Sequence, residues 1–226
     1  MFPGLAPLAG QKRLLYINDF SSYSVGSPPS DWTEVFNTSD FSVSVETVSG
    51  SISGKALRWT KTSASRQGLK WDAIPAMADV EVLIRARSIE GSSGGDNHIG
   101  PFVRGSGSAG SETGYRAVIG NAFMNKVLSN DRYSGGSASN IYTSGSLSLG
   151  ATNDWFWIRY NLIGSSHKVK AWDAAGSEPG SWNNTGTNSD VTAAGWTGLM
   201  QAADNPNVEI DYFAASVDGA TIPLPS

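Results

Sequence analysis

Residues 155–163, WFWIRYNLI, constrain the fold of this chain more than any other stretch. Trp155 and Trp157 fall on one parity; Phe156, Ile158, Tyr160 and Leu162 fall on the other. Successive side chains of a strand point to opposite faces. A strand that is bulky and apolar on both parities is therefore covered on both faces and sits inside its sheet. Gly164-Ser165-Ser166 supplies turn chemistry. Residues 167–173 then resume as a strand, with Val169 and Ala171 on one parity and Lys168, Lys170 and Trp172 on the other. The pair reads as an antiparallel hairpin inside a larger sheet.

The rest of the chain repeats the same signal more weakly. Val80, Val82, Ile84 and Ala86 alternate with Glu81, Leu83, Arg85 and Arg87, the longest clean alternation present. Phe41, Val43 and Val45 alternate with Ser42, Ser44 and Glu46. Further strands are expected near 14–20, 57–59, 67–71, 99–104, 115–119, 123–129, 141–142, 147–149, 195–202 and 208–217, about a dozen in all. Polar, glycine-rich loops such as GSGSAGSETG separate them. No shift of composition marks a second domain. The expected fold is all-β: two antiparallel sheets packed as a jelly-roll sandwich over residues 13–219. An N-terminal arm, residues 1–12, precedes it, and a C-terminal tail, residues 220–226, follows.

Composition removes several classes of function. The chain has no cysteine, which excludes disulfides, thiolate metal sites and cysteine nucleophiles. A net charge of −4 gives no basic surface for nucleic acid or an anionic membrane. No run approaches the roughly 18 apolar residues that a membrane-spanning helix needs. The opening MFPGLAPLAGQKRLLY lacks the basic region and unbroken apolar core of a secretory signal.

Trp155-x-Trp157-x-Arg159, Gly164, Lys168-x-Lys170-x-Trp172 and Gly176-x-Glu178-Pro179-x-x-Trp182 together resemble the long hairpin and following loop of concanavalin A-like jelly rolls. That superfamily includes laminarin-G-like domains, laminarinase-type glucanases and many phage tail proteins. Asp19-Phe20, then Gly26-x-Pro28-Pro29 and Trp32, is similar to the opening of laminarin-G-like domains. The resemblance implies a structural Ca²⁺ bound by Asp19 and Asp211, hard oxygen ligands of the kind that ion takes. With no secretory signal, the expected setting is a virion: a protein assembled in the host cytoplasm and carried out on a phage particle. There the arm would dock on other virion proteins. Tail proteins are often cyclic, so a homo-oligomer is also expected, though no heptad repeat specifies one.

Two chemistries compete for such a scaffold. Laminarinase-type enzymes use a Glu-x-Asp-x-x-Glu strand whose alternation places the carboxylates on one face. Glu209-Ile210-Asp211 begins that pattern, but Ala214 stands where the acid/base Glu belongs, and the stretch resembles a closing strand instead. His98 and His167 sit in no ligand spacing. The alternative is glycan binding, in which rings meet C–H patches while amides, carboxylates and guanidinium groups fix hydroxyls. Two polar tips have that make-up: Asp96-Asn97-His98 and Asn130-Asp131-Arg132-Tyr133. Arg104 and Arg116 are expected on a strand face between them, with Asn125 nearby and Trp182 as a third candidate. The sequence-level expectation is a non-catalytic glycan binder contacting a cell-surface carbohydrate. A glycoside hydrolase and a purely structural virion decoration protein are the alternatives.

Overall fold

The computed structural model describes residues 15–63, 65–89, 99–120, 127–149, 153–201 and 207–225. Among them the regular structure is all strand. In chain order the strands are β1 (Leu15–Asn18), β2 (Trp32–Phe36), β3 (Phe41–Thr47), β4 (Lys55–Lys61), β5 (Gln67–Trp71), β6 (Val80–Ser88), β7 (Ile99–Ser106) and β8 (Thr113–Gly120). They continue with β9 (Val127–Ser134), β10 (Ser137–Ser146), β11 (Phe156–Ile163), β12 (Ser166–Asp173), β13 (Asn184–Thr187), β14 (Trp196–Gln201) and β15 (Val208–Val217). The expected N-terminal arm and the Asp96-Asn97-His98 tip lie outside the described residues, as does Asn125.

Two antiparallel sheets form a sandwich. The eight-stranded sheet runs β13-β12-β11-β6-β15-β4-β3, with β1 also paired to β15. The seven-stranded sheet runs β10-β9-β8-β7-β14-β5-β2. β11 lies between β12 and β6, so the strand with rings on both parities is internal, as its pattern demands. Ile163 stands opposite Ser166, leaving Gly164-Ser165 as a two-residue hairpin loop. Gly164 takes φ +56° there, a conformation that favours glycine.

Between the sheets lies one large core. Val82, Ile84, Phe156, Ile158 and Tyr160 from one sheet meet Leu69, Val103, Tyr115 and Leu199 from the other. Trp32 stacks on Trp71 at 5.5 Å, and both take the edge of Phe213. Trp59 is fully buried, and its indole N–H donates to Gln67 at 2.8 Å. Burial without that acceptor would leave a costly unpaired donor.

Rings also pack outside the two layers. Leu83, Trp157, Trp172, Tyr212, Ala214 and Ile222 cluster on the outer face of the eight-stranded sheet. Phe36, Phe102, Tyr133 and Met200 cluster on the outer face of the seven-stranded one. The first cluster is sealed by the chain itself. The Ile222 amide donates to Glu81, and its carbonyl accepts from Arg159. Arg159 in turn pairs with Glu81 and Glu178, and Lys170 also holds Glu178. Arg159 and Lys170, two residues of the hairpin motif, are thus the anchors of the C-terminal segment and of the loop after β12.

Candidate functional site

Residues paired directly across antiparallel strands share a face. One such row crosses the whole seven-stranded sheet: Thr33, Lys70, Gly198, Phe102, Arg116, Asp131 and Asn140, one from each strand. It lies on the outer face, because the residues beside it, Leu69, Leu199, Val103 and Tyr115, point into the core. At one end Lys70 pairs with Asp72 at 2.8 Å, and Thr33 donates to the same carboxylate at 2.6 Å. These contacts hold the Asp72 carboxyl below its ordinary value despite the opposing effect of burial. At the other end Arg116 pairs with Asp131 at 2.8 Å, and Asn140 donates to Asp131 at 3.2 Å. Thr33 and Asn140 are exposed, so both ends of the row are open to solvent.

The middle of the row is a ring cluster seated on glycines. Phe102 meets Trp196 at 4.9 Å, Tyr133 at 5.7 Å and Phe36 at 6.1 Å between centroids. A Cβ at Gly68 would strike the Phe36 ring, one at Gly105 the Trp196 indole, and one at Gly114 the Phe102 ring. Glycine in these strands marks close approach of a ring to backbone. Tyr133 is covered by two guanidinium groups, Arg66 at 5.2 Å and Arg116 at 5.4 Å from its centroid. Burial pushes its hydroxyl above the usual tyrosine range, against the pull of the neighbouring cations. Arg66 is also held by the Gly136 carbonyl and by Glu112. Trp196 alone among these four rings is partly exposed.

Of the residues expected at the site, Arg116, Asp131 and Tyr133 come together here. The expected tip Asn130-Asp131-Arg132-Tyr133 is not a tip: all four lie within β9, and the turn is Gly135-Gly136. Strand alternation splits them. Asp131 and Tyr133 face outward, whereas Asn130 and Arg132 stand opposite the core residues Ala117 and Tyr115. Arg132 pairs with Asp190 at the sheet margin.

Arg104 departs furthest from expectation. It is 2% exposed and takes φ +51° at a register shift of β7. Its guanidinium donates to the carbonyls of Ala78, Val191 and Gly164, each at 2.6 Å. It ties three loops together and cannot face a ligand. Trp182 belongs to the loop after β12 on the other sheet, with Lys170 above its ring at 4.8 Å. Trp196, Lys70, Asn140 and Arg66 were missed. Their signal was present in the glycines that alternate with or oppose rings, which read as turn material in sequence.

The Glu209-Ile210-Asp211 carboxylates lie on the eight-stranded sheet and are locked by arginines. Glu209 stands opposite both Arg58 and Arg87 and pairs with each, at 2.6 and 2.7 Å. Asp211 sits at a bulge and pairs with Arg85, while the Ile52 amide donates to the same oxygen at 2.9 Å. Burial pushes the Asp211 carboxyl up to about 6, with Arg85 and the Ile52 amide pulling the other way. Asp19, the second expected calcium ligand, takes the amide and hydroxyl of Ser21 as a local turn. At Asp211 a guanidinium and an amide therefore hold one carboxylate oxygen and supply positive charge in the place a divalent cation would take. Among the described residues no group of three or more His, Asp or Glu side chains gathers to hold one.

Inside the sandwich, His167 is buried against Tyr160 and Tyr115. Its Nε2 lies 3.2 Å from the Asn188 carbonyl and its Nδ1 2.7 Å from the Tyr160 hydroxyl. A carbonyl only accepts, so Nε2 carries the proton and Tyr160 donates to Nδ1. Burial lowers the His167 pKa to about 4.

No protein-family model matches the chain, and no curated protein matches it in sequence. Solved structures match it in fold. Lectin II from Ulex europaeus superposes with a TM-score of 0.62 at 11% identity, covering 90% of this chain and 98% of that one. The VIP36 exoplasmic/lumenal domain in its Ca²⁺/Man2-bound form gives 0.59 at 13% identity, covering 93% and 90%. Carbohydrate-binding module CBM66 from Bacillus subtilis gives 0.54 at 16%, covering 86% and 97%. At these identities the likeness is one of fold: the chain has the two-sheet, concanavalin A-like jelly-roll fold.

Proposed function

We propose that the chain is a non-catalytic carbohydrate-binding protein that takes a glycan along the outer face of its seven-stranded sheet. One observation carries the reading: the row from Thr33 to Asn140 offers fixed donors and acceptors, open at both ends, beside the partly exposed indole of Trp196. Such a mixture of ring and polar groups matches what a sugar presents. The fold's company supports it, since similar structures include a lectin and a carbohydrate-binding module. The test is a glycan array with the full chain and Trp196→Ala. Binding by the parent that is lost in the folded variant is expected; a silent array sinks the proposal.

The non-catalytic part of this reading is supported by what surrounds Glu209. A retaining glycosidase needs a carboxylate nucleophile that can reach the sugar and a second carboxyl that gives and takes a proton. Glu209 instead is 1% exposed and clamped by two guanidinium groups, with Ala214 at the acid/base position. A reducing-sugar assay on laminarin should read zero. Turnover abolished by Glu209→Gln would reverse this view.

The virion setting belongs to the same proposal and is motivated by the resemblance to a superfamily that includes many phage tail proteins. Mass spectrometry of purified particles tests it, as deletion of residues 1–12 tests their docking role. A protein present in particles yet silent on the array would be a decoration protein. Calcium is not part of the proposal, because Arg85 stands beside Asp211.

A further inference from the structure

Resting on the carbohydrate-binding reading above, we infer that this face selects uncharged glycans and rejects those bearing uronate, sialate or sulfate groups. The ground is the state of its cations. Lys70 is paired with Asp72 and Arg116 with Asp131, both at 2.8 Å, and Arg66 with Glu112 at 3.6 Å. Each pair has a further tie: Thr33 on Asp72, Asn140 on Asp131, and the Gly136 carbonyl on Arg66. At the sheet margin Arg132 is matched by Asp190 in the same way.

An acidic sugar would have to take a guanidinium from a carboxylate that already holds it. For Arg116 and Asp131, with side chains 4% and 15% exposed, the displaced partner would remain largely buried and uncompensated. The carboxylates of Asp72, Asp131 and Glu112 would also repel the newcomer, and the chain's net charge of −4 adds to that. A hydroxyl meets none of this. It donates and accepts at once, and the edge of an ion pair presents an N–H beside a carboxylate lone pair. A neutral sugar therefore joins the pairs without breaking them, while an anion is excluded by what it must break.

The experiment uses the full chain against neutral homopolysaccharides and, for each, its C6-oxidised uronate form, with sulfated polymers alongside. The expected result is a preference for the neutral form of about tenfold or more. Affinity for it should stay within about twofold from roughly 0.05 to 0.5 M salt. Asp72→Asn frees Lys70 on an exposed part of the face, where the fold is not at stake. It should raise the ratio of oxidised to neutral affinity about threefold. Equal or tighter binding of the oxidised forms by the parent chain would overturn the inference while leaving glycan binding intact. Folded parent protein, checked by circular dichroism, that binds neither form would defeat the carbohydrate reading itself.

Discussion

The two outer faces of this sandwich carry the same kinds of residue and leave them in opposite states, covered on one and reachable on the other. On the eight-stranded sheet, Arg58, Arg85, Arg87 and Arg159 meet Glu209, Asp211 and Glu81, and tryptophans lie between them. Trp155 has Arg85 and Arg87 at 4.7 and 4.5 Å from its ring. The chain's own C-terminal segment closes over that face through Ile222. On the seven-stranded sheet, ion pairs stand at both ends of a row and remain reachable, and Trp196 keeps part of its ring in solvent. Charge, ring and amide content do not separate the structural face from the face proposed to bind. What separates them is whether the chain has already covered the groups it arranged.

The sharpest way to break this contrast is at Arg159. Replacing it with Met leaves Glu81 buried without its cation, and the expected loss is about 3–5 kcal/mol of stability. Chemical denaturation measures it, and glycan affinity per folded molecule should be unchanged. On the other face, Trp196→Ala should cost binding on the order of 2 kcal/mol, about 30-fold in affinity, with a smaller loss of stability. Titration calorimetry reads the first and thermal melting the second. The same ranking for both variants in both assays would erase the distinction drawn here.

Two buried groups offer a pH test with opposite signs. His167 has its folded pKa lowered to about 4, so its neutral form stabilises the fold above its unfolded value. That contribution is lost as pH falls through 4. Asp211 has its folded pKa raised to about 6, so its contribution is complete below its unfolded value near 3.8 and is lost as pH rises through 6. Between pH 6 and 4 the two oppose each other. Relative to the parent chain, His167→Gln should gain stability as pH falls across this window, and Asp211→Asn should lose it. Denaturant midpoints at pH 4.5, 5.5 and 6.5 check both slopes. The smallest effect concerns metal. With Arg85 beside Asp211, chelator should leave the melting temperature within about 1 °C, and added Ca²⁺ should do the same.

Much of the fold was legible in the chain because burial leaves a period. The rings on both parities of β11 demanded an internal strand, and β11 has β12 and β6 on either side. The alternation of residues 80–87 became β6, with Val82 and Ile84 in the core and Arg85 and Arg87 outside. Sites were less legible. Residues 130–133 are polar and read as a tip, yet they run along β9, where antiparallel neighbours rather than composition satisfy the backbone. Arg104 has the chemistry of a ligand-binding residue, but a positive φ turns it among three carbonyls of distant loops.

By itself, the order of residues determined the strongly patterned strands such as β3, β6, β11 and β15, the parity that β3, β6 and β11 bury, and that antiparallel sheets close on the rings between them; β2, β13 and the run of β9 through 130–133 left no such pattern. A local pattern suffices for that, because the cost of exposing apolar surface is set residue by residue. Only the tertiary structure decided which charged groups would pair with one another and which pairs would stay open to solvent. Glu209 is opposite Arg58 across 151 positions of sequence, and Arg116 finds Asp131 in a neighbouring strand. Whether a charge is spent internally depends on register and on what folds over it, and neither is written in its own neighbourhood of the chain.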